Sequence, residues 1–457
     1  MELSGNRLII RGSMLRPLTA FVVLASVCAI ATDIADYRAG SLARFEPQPI
    51  YSADLHDSWN RIFFLLFTRA VATRLSDDFK VEGPFVSAIA MGNPSLQATS
   101  RTVERIESGD RAIDPLYPNF FSSKGSEPIL LDPGFTELKQ ALQQACAETA
   151  PRPPLERALM QADVWAAYDI VSWSRESEGA MGDHARTLLP LLGQFITKLA
   201  LADEEIAALP RNYLAAQSSQ NLPHLFDQTS GWMEIEWFPG RSHDEEGENR
   251  HAARVFLKPP GNARSFLDHV NRRIRKRRRD EIVLPEGIKS LNGAALITQV
   301  LLIDRKGRVV PSPLISDLQL RTVARDAQGN FKGSTVEEYE LSRQLMLSDP
   351  SSGGFVHRTA DEPAYLPASG NDFTFAARMI AEREPKPPIL ATLRRRCDSC
   401  HDGTTVFTFS IIQIPGRPSP PLRVLHPADD ERAVYVAKRK MQDKTFQSLQ
   451  LGRAGAP

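Results

Sequence analysis

The segment RRRCDSCHDG, residues 394–403, brings together three side chains that can do chemistry. Cys397 and Cys400 are three positions apart, and His401 follows the second cysteine directly. Two thiols and an imidazole at this spacing suit three uses: covalent attachment of a haem, binding of a metal ion, and a disulfide in a tight turn.

Haem attachment accounts for the spacing of the three residues. Each thiol would bond to one of two vinyl groups on neighbouring edges of the porphyrin, and His401 would then reach the iron with a ring nitrogen. The sequence CDSCH resembles the haem-attachment motif of the c-type cytochromes, and the resemblance covers these five residues. It implies one covalent haem c held by Cys397, Cys400 and His401, with His401 as the proximal iron ligand.

The chain after the motif departs from the small helical cytochromes c, because residues 404–414, TTVFTFSIIQI, predict a strand. Two later residues are candidates for the sixth ligand: His426 through a ring nitrogen and Met441 through its sulfur. Met441 lies four positions after Ala437 on a predicted helical face, so packing is its alternative role. The alternative for His426 is a loop imidazole that caps a turn. An upstream ligand or a five-coordinate iron stays open.

Zinc and a disulfide are the alternatives to haem. Zinc usually takes two pairs of ligands, and the chain has no second C-x-x-C pair. A Cys397–Cys400 disulfide would indicate a redox pair or a non-haem protein of the cell envelope. Cys146 lies in a predicted helix, where we expect a small buried apolar residue rather than a reactive thiol.

The N-terminus has the pattern of an export signal. Arg16 gives a basic start, residues 18–31 are apolar, and small residues suit cleavage after Ala31. The apolar run is short for a membrane span, which needs about 20 residues. We predict a signal peptide at residues 1–31, with an uncleaved membrane anchor as the alternative. Export to the periplasm or beyond agrees with haem, because c-type haem is attached outside the cytoplasm.

Hydrophobic periodicity predicts the domain organisation. Over residues 153–174 apolar residues recur three or four apart, as on one face of a helix. After the helical region, the spacing of apolar residues is typical of strands in a mixed sheet, with a helix at 262–279. Residues 382–390 have the proline and charge content of a linker. We predict an α+β chain of three parts: a mainly helical domain at 32–215, a mixed α+β domain at 216–381 and a small C-terminal haem module at 382–457.

Two stretches predict local detail within the central part. In WMEIEWF, residues 232–238, the apolar residues alternate with Glu234 and Glu236, as in a half-buried strand whose carboxylates face water. Asp304 and Gly307 lie between two apolar runs and predict the turn of a hairpin.

Charge restricts the partners that suit this protein. Lys+Arg and Asp+Glu both total 55, so no net charge attracts nucleic acid, and export argues against nucleic acid as well. The exception is the segment at 272–279, where seven of eight residues are basic. The same predicted helix carries an apolar stripe of Phe266, Leu267, Val270 and Ile274. An acidic partner protein or an anionic membrane surface would suit this segment, and a solvated helix face is the alternative.

The chain contains no G-x-S-x-G, P-loop, H-E-x-x-H or Rossmann fingerprint, and no catalytic residue is assigned. The sequence therefore predicts an exported mono-haem c-type cytochrome that exchanges single electrons with a redox partner protein. One alternative is a peroxidase-like haem enzyme with an open distal site. The other is a non-haem binding or structural protein of the cell envelope with a Cys397–Cys400 disulfide.

Overall fold

The helices of the first half of the chain form where the sequence predicts them. The computed structural model describes residues 49–70, 111–113, 129–130, 132–176, 178–236, 251–261, 263–276, 291–359, 363–366, 389–392 and 423–454. All of these residues belong to one compact unit, residues 47–457. The helices of this half are α1 (Ser58–Phe67), α2 (Gly134–Ala147), α3 (Pro154–Trp173), α4 (Ala180–Leu199), α5 (Asp203–Ala207) and α6 (Asn212–Ser219).

The main sheet has seven strands. Two short strands, β1 (Thr68–Ala70) and β2 (Arg111–Ile113), form a separate antiparallel pair. The main sheet takes β3 (Met233–Glu236), β4 (His251–Lys258), β5 (Gly293–Ile303), β6 (Val309–Arg325), β7 (Phe331–Leu341) and β8 (Phe355–Thr359), with α7 (Ala263–Lys276) after β4 and α8 (Arg343–Ser348) after β7. A separate hairpin pairs β9 (Pro363–Leu366) with β10 (Ile389–Thr392).

The seventh strand comes from the C-terminal part of the chain. It is β11 (Arg423–Leu425), which pairs with β3, and it is followed by α9 (Glu431–Lys440) and α10 (Lys444–Ala454). The strand order is β11-β3-β4-β5-β6-β7-β8, and every pairing is antiparallel. The α+β class is confirmed. The expectation of a mixed sheet was wrong, since tight turns join β5 to β6 and β6 to β7 and so reverse the chain.

The predicted turn between β5 and β6 is confirmed. The Gly307 amide donates to the Asp304 carbonyl and the Asp304 amide donates to the Arg308 carbonyl, both at 2.9 Å. Gly307 has a φ of 78°, a left-handed conformation that glycine adopts without steric cost. The predicted domain boundaries at residues 215 and 381 stay predictions; α6 crosses the first, and the sheet takes β11 from beyond the second.

The central helix α3 is buried on both of its sides. Leu159 packs in the core that joins the helices to the sheet, while Val164 and Trp165 pack in the core shared with α1, α2 and α4. The expectation of a single apolar face was therefore incomplete, because α3 lies between two cores and has no side facing water along its middle.

Polar residues on α3 are consequently buried and paired. The Gln161 side chain donates to the Ile303 carbonyl at 2.9 Å and accepts from the Ile303 amide at 2.8 Å, which joins α3 to the end of β5. These two bonds satisfy backbone groups that water does not reach.

We expect Gln161→Met to lower the free energy of unfolding by about 2–4 kcal/mol, because both polar groups of Ile303 lose this partner in the interior. Urea denaturation measures the change. The matched control is Gln140→Met on the exposed side of α2, where we expect a change within about 0.5 kcal/mol. Equal effects of the two substitutions would contradict the role given to Gln161.

Candidate functional site

The two ends of the segment that carries the Cys-Cys-His motif are held in sheets. Cys397, Cys400 and His401 lie outside the described residues. Before them, β10 ends at Thr392 and pairs with β9, and after them β11 begins at Arg423 and pairs with β3. The candidate haem segment, residues 393–422, therefore begins directly after β10 and ends directly before β11.

Arg254 on β4 joins the sheet to the chain that follows β11. Its guanidinium donates to both carboxylate oxygens of Glu234 at 2.9 and 2.7 Å, and to the side chain of Gln299 at 2.9 Å. It also donates to Asp430 at 2.5 Å and to the Pro427 carbonyl at 2.6 Å. Strands β3, β4 and β5 and the start of α9 thus meet at one side chain.

This cluster lies in the interior. Arg254 and Glu234 are each only 1% exposed, and Arg254 also lies over the rings of Phe226 and Phe256. The expectation that Glu234 faces water was wrong, because this face of the sheet is covered. A buried guanidinium and carboxylate are tolerated when they pair closely and their remaining donors and acceptors are also bonded.

A second buried charge pair attaches α9 to α3. Lys440 is 0% exposed, and its ammonium lies 2.8 Å from the carboxylate of Asp169. The same ammonium lies over the ring of Trp165 at 5.6 Å from its centre. This buried pair therefore attaches the last residue of α9 to the helices of the first half of the chain.

A third buried pair connects α3 to α8. Arg343 donates to Asp163 at 2.5 Å, and the Tyr51 hydroxyl lies 3.3 Å from the same carboxylate. Burial lowers the pKa of the Arg343 guanidinium, but the charge and hydrogen bond of Asp163, together with the charges of Tyr51 and Glu340, raise this pKa overall. Burial, with the nearby negative charge of Asp163, raises the pKa of Tyr51 well above its usual value. The phenol therefore stays neutral and can donate to the carboxylate.

The two candidates for the sixth iron ligand have different surroundings. Met441 directly follows α9 and packs against the helical core beside Ala437, which agrees with its packing role. His426 follows β11, its side chain is 50% exposed, and its Nδ1 lies 3.6 Å from a carboxylate oxygen of Asp429. The imidazole makes no capping hydrogen bond to the turn that it precedes. Both assignments as iron ligands stay predictions.

Cys146 is partly buried on α2, with its sulfur 4.0 Å from the Leu191 carbonyl oxygen. Burial raises the pKa of its thiol, although the nearby Lys198 acts in the opposite direction. The thiol is thus less readily ionised than a free cysteine, as expected for a packing residue.

The described ranges contain no group of three or more His, Cys, Asp or Glu side chains placed to hold a metal ion. None of the helices in these ranges has the length and apolar character that a membrane crossing requires. Comparisons of the chain with protein-family models, with curated proteins and with solved structures give no match. The chemistry of this chain must therefore be argued from its own residues.

We expect Arg254→Met to lower the free energy of unfolding by about 3–5 kcal/mol, because the buried Glu234 carboxylate loses its partner. The control is Arg423→Met, which removes a pair with Glu236 on the same strand β3; Arg423 is 58% exposed, so we expect a loss of at most about 1 kcal/mol. Chemical denaturation compares the two variants. A loss at Arg254 as small as that at Arg423 would contradict its role as an anchor.

Proposed function

We propose that the protein is an exported c-type cytochrome that carries one haem c on residues 393–422. Cys397 and Cys400 would hold the haem through thioether bonds, and His401 would bind the iron from its proximal side. The observation that carries this proposal is the C-x-x-C-H pentapeptide in a chain whose N-terminus has the pattern of an export signal.

The side chains of Cys397, Cys400 and His401 are suited by their chemistry to hold a haem. Two thiols supply the two covalent bonds, and a neutral imidazole is a common axial ligand of haem iron. Bound haem supplies reversible one-electron chemistry, which amino-acid side chains of this chain do not offer. The contribution of the protein is to attach, orient and bury the group.

The described structure supports this proposal through the way the chain on either side of the segment is held. The chain enters residues 393–422 from β10 and leaves through β11. Two anchors hold the chain after β11: Asp430, just before α9, accepts from Arg254 of β4, and Lys440 at the end of α9 pairs with Asp169. A redox group changes charge during its work, and a firmly held segment keeps its ligands in place in both charge states. These anchors would serve that purpose.

The test is expression in a host with an active c-type haem maturation system, followed by a denaturing gel stained for haem peroxidase activity. We expect a stained band for the wild-type protein and none for the double variant Cys397→Ala/Cys400→Ala, because both thioether bonds are lost. The matched control is Cys146→Ala, which should stain as strongly as the wild type. An unstained wild-type band beside a stained control cytochrome would contradict the proposal.

We further propose His426, rather than Met441, as the sixth ligand. A histidine that binds metal commonly directs its other ring nitrogen toward a carboxylate, and Nδ1 of His426 already lies near Asp429. That arrangement leaves Nε2 for the iron, whereas the side chain of Met441 packs against the core. Two imidazole ligands would give a lower reduction potential than a histidine–methionine pair.

Visible spectra of the haem protein test this assignment. We expect His426→Ala to convert the low-spin ferric spectrum to a high-spin one, because the iron loses its sixth ligand. Met441→Leu should leave the spectrum unchanged, since it substitutes one packing side chain for another of similar volume. A spectral change with Met441→Leu and none with His426→Ala would reverse the assignment.

A further inference from the structure

We propose that the last turn of α7 is a docking surface for an acidic partner protein. This turn carries Arg272, Arg273, Arg275 and Lys276 in a chain whose net charge is zero. Arg272 is exposed, and so is Arg264 in the first turn of the same helix. Four of the last five residues of α7 are basic, so positive charge is concentrated at its C-terminal end, where the helix dipole also favours it.

The apolar side chains of α7 that the structure describes pack within the fold. Leu267 is buried in one cluster with Met233 and Ile235 of β3 and Leu257 of β4, and Phe266 packs against the same cluster. The predicted stripe of the helix is thus confirmed at these two positions. A helix that inserts into a lipid surface needs a free apolar face, and α7 has placed Phe266 and Leu267 against the sheet.

This arrangement favours a protein partner over a membrane. A cluster of basic side chains at a helix end attracts an oppositely charged protein surface, which orients that surface and speeds its encounter. The attraction acts over about 8 Å at physiological ionic strength, so it selects a partner whose acidic groups reach the helix.

The position of α7 suits electron transfer and, in this respect, the inference rests on the proposed function. Leu267 shares its cluster with Ile235, and Ile235 is the ladder partner of Val424 on β11. Neighbouring strands lie about 4.8 Å apart, so α7 packs one strand away from the strand that follows the haem segment. An acidic redox protein bound at α7 would therefore lie near β11, the strand that directly follows the candidate haem segment.

Binding to two probes tests the surface: poly-L-glutamate as the acidic polypeptide, and vesicles of phosphatidylglycerol as the anionic membrane. We expect the wild-type protein to bind poly-L-glutamate, with an affinity that falls as salt is added. The variant Arg272→Glu/Arg273→Glu/Arg275→Glu/Lys276→Glu should bind at least about tenfold more weakly, because the charge of the surface is reversed.

The matched control reverses four exposed charges elsewhere, Arg211→Glu, Lys332→Glu, Lys438→Glu and Lys444→Glu, and should bind nearly as the wild type does. Circular dichroism checks that each variant is folded, and neutral variants with Gln at the four α7 positions should give an intermediate loss. Equal losses in the α7 and control variants would overturn the proposal. Binding to vesicles alone would overturn it in favour of a lipid surface.

The same assay on Cys397→Ala/Cys400→Ala protein separates this inference from the proposed function. Docking through α7 needs no haem, so binding of poly-L-glutamate should be unchanged in that variant. Wild-type protein that binds poly-L-glutamate but does not stain for haem would contradict the proposed function and leave the docking surface. Wild-type protein that stains for haem but does not bind poly-L-glutamate would overturn the docking surface and leave the proposed function.

Discussion

The fold depends on the pairing of charges that its interior encloses. A carboxylate or a guanidinium taken out of water costs several kcal/mol, and only a close partner with well-placed hydrogen bonds offsets this cost. Arg254 with Glu234, Lys440 with Asp169 and Arg343 with Asp163 each meet that requirement. Lys440 with Asp169 and Arg343 with Asp163 join elements that are far apart along the sequence, and Arg254 does the same through its bond to Asp430, so these charges also cross-link the fold.

Two of these pairs hold the C-terminal part of the chain. Arg254 reaches Asp430 and the Pro427 carbonyl, and Lys440 reaches Asp169 on the central helix. Together with the pairing of β11 on β3, they fix the chain immediately after the candidate haem segment. The helices and strands that precede the candidate haem segment therefore support the chain that follows it.

Local patterns in the sequence predicted the helices, strands and turns more accurately than they predicted what packs around them. The turn with Gly307, the helix α7 with Leu267 on its inner side, and the buried Ala433 and Ala437 of α9 all follow from spacing and turn chemistry. These features depend on neighbours within a few residues, and such information is present in a single sequence.

The buried charges could not be predicted in this way. Alternation in WMEIEWF places Glu234 on a polar face, and only the presence of Arg254 behind it makes burial of that face possible. Asp163 and Asp169 interrupt the apolar spacing of α3 and were a signal of buried pairing, but their partners lie far along the chain. The antiparallel sheet also depends on contacts between distant strands, as shown by β11 beside β3.

The central claim is that the exported chain carries one covalently attached haem, and the mass of the intact protein under denaturing conditions tests it most directly. Protein matured in a host that attaches c-type haem should have the mass of residues 32–457 plus one haem, since thioether bonds survive denaturation. A mass that corresponds to the polypeptide alone, from a host that loads a control cytochrome, would contradict the account.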